Sequence, residues 1–78
     1  MPTKEEQRRT RGGGIMLAGL REARQDAGLT LRELSEASGV PLATISKLEL
    51  GRRGAVGKTT RALAQALGVE VRELRQAR

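Results

Sequence analysis

Thr30-Leu-Arg-Glu-Leu-Ser-Glu-Ala-Ser-Gly-Val-Pro-Leu-Ala-Thr-Ile-Ser-Lys-Leu-Glu-Leu-Gly51 holds two short helical patterns separated by a tight Ser38-Gly39-Val40-Pro41 corner. The first has a marked beginning. Thr30 can accept from the amide of Glu33 while Glu33 reaches back, and Leu29 can pack on Leu34 as a hydrophobic staple. Leu31, Leu34 and Ala37 form its inward face, the small Ser35 and Ala37 leave room for another helix, and Ser38-Gly39 ends it. The second pattern begins at Pro41, which suits a first turn because its missing amide would have no intrahelical partner there. Ile45 and Leu48 point inward. Leu42, Ala43, Thr44, Ser46 and Lys47 are left on the outer surface, which is too poor in charge to be explained by water alone. Contact with base edges explains it better.

Working outward, the residues before this stretch predict a helix from Ile15 to Ala27, with Leu17, Leu20, Ala23 and Ala27 at helical spacing and Gly28 as a left-handed cap. Gly19 inside it costs about 1 kcal/mol relative to Ala, so it marks either close packing or a later start. Residues 1–14 carry Lys4, Arg8, Arg9 and Arg11 ahead of Gly12-Gly13-Gly14 and lack apolar periodicity. They read as a flexible basic arm, serving either as extra phosphate contacts or as a solvated tail. The remainder, 15–78, reads as one domain. After Gly51 comes a basic, glycine-punctuated loop, followed by a helix over Thr59–Leu67 with Ala62, Leu63, Ala66 and Leu67 on one face, closed by Gly68. A last helix over Glu70–Arg78 offers Val69, Val71 and Leu74 to the core or to a partner.

The totals narrow the function. A chain of 78 residues has room for a single small core. Its apolar residues are aliphatic, with no Phe, Tyr or Trp, which favours small helices packed through aliphatic ridges. Without Cys or His there are no zinc sites of the usual ligand types, no thiol chemistry and no imidazole catalysis, so neither a metal nor a cofactor nor an enzymatic activity is expected. No apolar run approaches the length of a membrane span and no signal segment leads the chain, which places the protein in the cytoplasm, on the nucleoid. Fifteen Lys and Arg against nine Asp and Glu give a net charge of +6, suggesting a polyanionic partner. Position sharpens this: between Glu49 and Glu70 there is no acidic residue, while Arg52, Arg53, Lys58 and Arg61 fall in that window.

These residues resemble the lambda-repressor-like helix-turn-helix domains, the Cro and XRE group of bacterial and phage regulators. The likeness runs from about Leu20 to Leu74. It rests, in order, on Leu-Arg-Glu-Ala-Arg-Gln-Asp-Ala-Gly-Leu-Thr (20–30), Glu-Leu-Ser-Glu-Ala-Ser-Gly-Val (33–40), Thr-Ile-Ser-Lys-Leu-Glu-Leu-Gly-Arg-Arg (44–53) and Leu-Ala-Gln-Ala-Leu-Gly-Val (63–69). The resemblance implies an all-α, compact five-helix bundle whose second helix lies across the phosphate backbone and whose third, Pro41–Leu50, docks in the major groove of double-stranded DNA. It places Leu42, Ala43, Ser46 and Lys47 at base-facing positions, with Thr44 beside them. Where many members carry hydrogen-bonding side chains this chain has Leu42 and Ala43, which can touch thymine methyl groups, leaving Lys47 as the main polar reader of guanine acceptors or of a phosphate.

Leu31 is a second departure, since many members carry there a Gln that bonds a phosphate. The free amides at this helix start, helped by Thr30 and Arg32, must act instead. Arg52, Arg53 and Lys58 are further phosphate candidates. Arg24 and Glu49 match positions that in some members form an ion pair tying the first helix to the end of the recognition helix; the alternative is two separate surface charges.

One motif misleads. Gly54-Ala55-Val56-Gly57-Lys58-Thr59 ends like a nucleotide-binding loop, but the glycine required five positions before Gly57 is Arg52, and no strand precedes it. The expected function is therefore a sequence-specific transcriptional regulator, read as a repressor, acting as a homodimer with helix five as dimer surface and no small-molecule ligand. The alternatives are an antitoxin-type autoregulator and, from another class, a protein-binding adaptor built on the same fold, which the outward Leu42 and Leu50 would suit.

Overall fold

In a computed structural model that describes residues 14–76, the chain folds into five helices: α1 (Leu20–Asp26), α2 (Leu31–Ser38), α3 (Leu42–Glu49), α4 (Gly57–Leu67) and α5 (Val71–Arg75). The only strand-like pairing among the described residues is a single antiparallel bridge between Ile15 and Ala55. The basic stretch before Gly14 lies outside the described residues.

α2 begins where its sequence signals it. The Thr30 hydroxyl accepts from the Glu33 amide at 3.0 Å, and the Thr30 amide donates to the Glu33 carboxylate at 2.9 Å. Two donors that a helix start leaves unpaired are thereby satisfied. The helix ends at Gly39, whose φ of +76° is the left-handed conformation that side chains disfavour. Side chains then hold the corner: the Ser35 hydroxyl donates to the Val40 carbonyl at 2.7 Å, and the Val40 amide donates to the Ser38 hydroxyl at 3.1 Å. Pro41 caps α3 from just outside it, with its carbonyl taking the Ile45 amide. The turn between α2 and α3 is therefore fixed on both sides.

Leu20, Leu34, Ile45, Leu48, Leu63 and Leu74 are almost wholly buried, one or two from each helix, and Leu17 and Ala55 join them from the connecting segments. Each such aliphatic side chain contributes about 1.5–3 kcal/mol relative to exposure. α2 packs on α3 and α4, while α5 closes the bundle against α1 and α4. Thr60 is the one buried polar side chain among the described residues, and its hydroxyl donates to the Val56 carbonyl at 3.0 Å.

Several expectations need correction. The first helix does not begin at Ile15. Ile15 exchanges two 2.8 Å hydrogen bonds with Ala55, so residues 15–19 run as a strap, and Leu17 reaches the core from it. Gly19 stands at the helix start with its amide donating to the Leu74 carbonyl at 2.9 Å. A Cβ there would lie 2.4 Å from the carbonyl oxygens of Glu73 and Gln76. The glycine thus allows the start of α1 to seat on the end of α5, and of its two readings the structure has both: close packing and a late start. Ala27 and Ala37 are exposed rather than inward, because the helices contact their neighbours through a narrower stripe than the spacing suggests. α4 starts at Gly57, two residues early, with Ala64 buried alongside Leu63. α5 spans only Val71–Arg75.

Candidate nucleic-acid interface

α3 buries Ile45 and Leu48 and turns its other side outward. Ala43 and Lys47 are exposed in the middle of that side, Leu42 is 40% exposed at its leading end and Leu50 60% exposed just past its last turn. Ala43, Lys47 and Leu50 fall at i, i+4 and i+7, so they form one stripe. Thr44 and Ser46 are half-buried. Two residues apart on a helix means about 200° of rotation, so they stand on opposite flanks of α3.

Each flank opens into a cleft. On the Ser46 side a cleft of about 210 Å³ is lined by Arg21, Arg24, Leu31, Ser46, Glu49 and Leu50. On the Thr44 side a larger one, about 380 Å³, runs between the α2–α3 corner and the start of α4 and includes Thr44, Arg53, Lys58 and Thr59. Folding thus brings Arg53 and Lys58 beside the start of α3, and Leu31 beside Ser46. Arg52 is exposed after α3 but lines neither cleft, and Thr30 and Arg32 are exposed at the start of α2. The Thr30 hydroxyl already accepts the Glu33 amide, leaving only its own proton to offer.

Arg24 and Glu49 form a two-pronged ion pair. Nε of Arg24 donates to one carboxylate oxygen at 2.6 Å and Nη2 to the other at 3.0 Å, while Nη1 donates to the Leu29 carbonyl at 2.8 Å. Only 13% and 7% of the two side chains remain exposed. The hydrogen bonds to Glu49 hold the Arg24 guanidinium above its ordinary pKa, against the opposing pull of desolvation. With both charges satisfied by each other, the pair is a strut that fixes the end of α3 to α1 and to the chain entering α2.

Residues 20–74 match the family model described as Helix-turn-helix. The chain belongs to the Cro- and XRE-type helix-turn-helix family. Among solved structures, the restriction-modification controller protein C.AhdI from Aeromonas hydrophila is 34% identical with a TM-score of 0.70, over 76% of this chain and 89% of that one. The clp gene regulator ClgR from C. glutamicum is 41% identical with a TM-score of 0.69, over 76% of this chain and 77% of that one. Streptomyces albus HEPD, solved with 2-hydroxyethylphosphonate and Fe(II), is 35% identical with a TM-score of 0.69, but the match covers 81% of this chain and just 14% of HEPD. No curated protein matches the chain.

Family and regulator neighbours together make this a DNA-binding transcriptional regulator of lambda-repressor-like fold. HEPD shares only a small part of itself, so the likeness carries no enzymatic reading. No helix among the described residues is long and apolar enough to cross a membrane, and none of their acidic side chains cluster as a metal site would require. The nucleotide-loop reading of 54–59 finds no support, because the position of its first glycine is Arg52 and only the isolated Ile15–Ala55 bridge, not a strand of a sheet, precedes the loop among the described residues.

The sequence reading passed over Arg21 and gave Leu50 a role only in the adaptor alternative. The signal for Arg21 was available: it lies three residues before Arg24, on the same face of α1. Leu50 lies seven residues after Ala43 and so continues the outward stripe.

Proposed function

We propose that this protein is a sequence-specific repressor that inserts α3 into the major groove of a short palindromic duplex as a homodimer. The observation that carries the reading is the outer face of α3: exposed Leu42, Ala43 and Lys47, with a single charge, on a helix fixed at its start by the Ser35–Val40 corner and at its end by Arg24–Glu49. Leu42 and Ala43 touch thymine methyl groups and Lys47 bonds guanine acceptors, with Ser46 and Thr44 at the edges of the same face. Thr30, Leu31 and Arg32 address one phosphate strand through the start of α2, while Arg52, Arg53 and Lys58 address the other. The basic stretch 1–14 acts as an arm ahead of a DNA-binding domain, 15–78, that works in the cytoplasm.

A homodimer fits because one small domain reaches few base edges by itself, and symmetric half-sites double the contact. α5 contributes little apolar surface to such a pairing, since Leu74 is buried and Val71 half-buried, with Arg72, Glu73 and Arg75 outward. Selection of bound sequences from a random duplex pool at near-physiological salt tests the whole reading, and a palindromic motif is the expected result. A folded protein that enriches nothing would transfer the assignment to a protein-binding adaptor, which exposed Leu42 and Leu50 favour. Salt separates the two readings independently: DNA affinity falls with a log-log slope of about 0.9 per phosphate neutralised, and an adaptor's complex responds far less. An autoregulating antitoxin binds DNA in the same way and is distinguished by a toxin partner that co-purifies.

A further inference from the structure

The cleft on the Ser46 flank of α3 holds three charged side chains from two helices, and two of them cancel. Arg24 and Glu49 are consumed by each other. Arg21 remains, exposed, lining the same cleft and making no hydrogen bond or ion pair among the described residues. The cleft therefore carries one uncompensated positive charge, beside the Ser46 hydroxyl and next to Leu31, the position where this chain lacks a hydrogen-bonding side chain.

We infer that Arg21 is a phosphate-gripping residue: its guanidinium takes a DNA backbone phosphate seated in the Ser46 cleft, supplying from α1 the side-chain contact that Leu31 cannot make from α2. This rests on the DNA-binding reading above and extends it to a residue outside the helix-turn-helix. The arrangement of charge around α3 supports it. An α-helix lying in a major groove about 12 Å wide has a phosphate strand on each side. Arg53 and Lys58 provide cations on the Thr44 flank, whereas inside the Ser46 cleft the other two charges, Arg24 and Glu49, form a neutral pair facing the strand on that side. Arg21 gives that strand a charge of its own. The planar fork of a guanidinium also matches two phosphate oxygens at once, which a lysine cannot do. Arg24 lines the same cleft, but three of its five N–H groups are already bonded and its charge is offset by Glu49, which leaves Arg21 as the cation there with its whole fork free.

The test measures binding of a fluorescein-labelled mixed-sequence duplex by anisotropy between about 50 and 200 mM salt, for the unaltered chain, Arg21→Ala, Arg21→Lys and Arg72→Ala. Arg72 is an exposed cation on α5 outside both clefts, so its removal changes net charge equally. Arg21→Ala should reduce the log-log slope by about 0.9 and weaken binding about tenfold. Arg21→Lys should keep the slope while recovering only part of the affinity, and Arg72→Ala should leave the slope in place. All four proteins should melt alike, since Arg21 has no partner to lose. Equal slopes for Arg21→Ala and Arg72→Ala, with the unaltered chain binding, overturn the assignment of Arg21 and leave the DNA reading standing. Loss of affinity accompanied by a lower melting temperature also overturns it. If the unaltered chain binds no duplex, both readings fall together.

Discussion

The Arg24 guanidinium and the Glu49 carboxylate, twenty-five residues apart, meet edge to edge at 2.6 and 3.0 Å and bind the last turn of α3 to the first helix of the bundle. α3 is only eight residues long, too short to be stable on its own, so its orientation is set by what holds its two ends.

Breaking this strut should cost stability first. In Arg24→Ala the Glu49 charge is stranded in a nearly buried position, at a cost of roughly 2–4 kcal/mol, between the exposed and fully buried cases. For a domain of this size the melting temperature should fall by about ten degrees or more, as followed by circular dichroism. An unchanged melt would mean that the pair does not hold α3.

Lys47→Ala should lower specific affinity by about 1–3 kcal/mol and relax base preference at one position if Lys47 reads a base. Competition binding against single-base variants of the selected site decides this. A loss equal across all sequences would make Lys47 a phosphate contact instead.

Arg53→Ala and Lys58→Ala, from the opposite cleft, should weaken every duplex alike, each reducing the salt slope by about 0.9. Arg52, which lines neither cleft, provides a graded comparison. If either cleft variant retains the full slope, that residue leaves the phosphate set.

Gly19→Ala should destabilise by about 3 kcal/mol or more, because the new methyl meets two backbone carbonyl oxygens that can move only if α5 moves. Gly39→Ala, which meets no neighbour but must adopt a φ of +76°, should cost only about 1–2 kcal/mol. Chemical denaturation of the two variants gives the comparison, and the reverse order would contradict the seating of α1 on α5.

Thr30→Ala removes the hydroxyl half of the capping box and should cost about 1 kcal/mol. DNA affinity measured well below the melting temperature should change little, because the amides at the start of α2 remain. A large loss of affinity at unchanged stability would instead give the Thr30 hydroxyl a direct phosphate contact.

Local punctuation was legible throughout. The Thr30–Glu33 box, the Gly39 and Gly68 caps and the Pro41 start are written in residues three or four apart, and the helices form where they say. What misled was spacing without context. Leu17 and Leu20 have helical periodicity, yet Leu17 reaches the core from a strap because Ile15 pairs with Ala55, forty residues away. Ala27 and Ala37 are compatible with an inward face and are exposed, since alanine carries too little apolar surface to decide which way a helix turns.

From the sequence alone follow the all-α class, the helix-turn-helix, the want of thiol and imidazole chemistry, and the basic window after Glu49, because these depend on composition and on neighbours within one or two turns. Only the tertiary structure decided that Thr44 and Ser46 stand on opposite flanks of α3, that Arg53 and Lys58 share one cleft while Arg21 lines the other, and that Arg24 is spent on Glu49. These relationships join residues from different helices. Whether a cation there is free to meet DNA depends on how the helices pack, which no local pattern specifies.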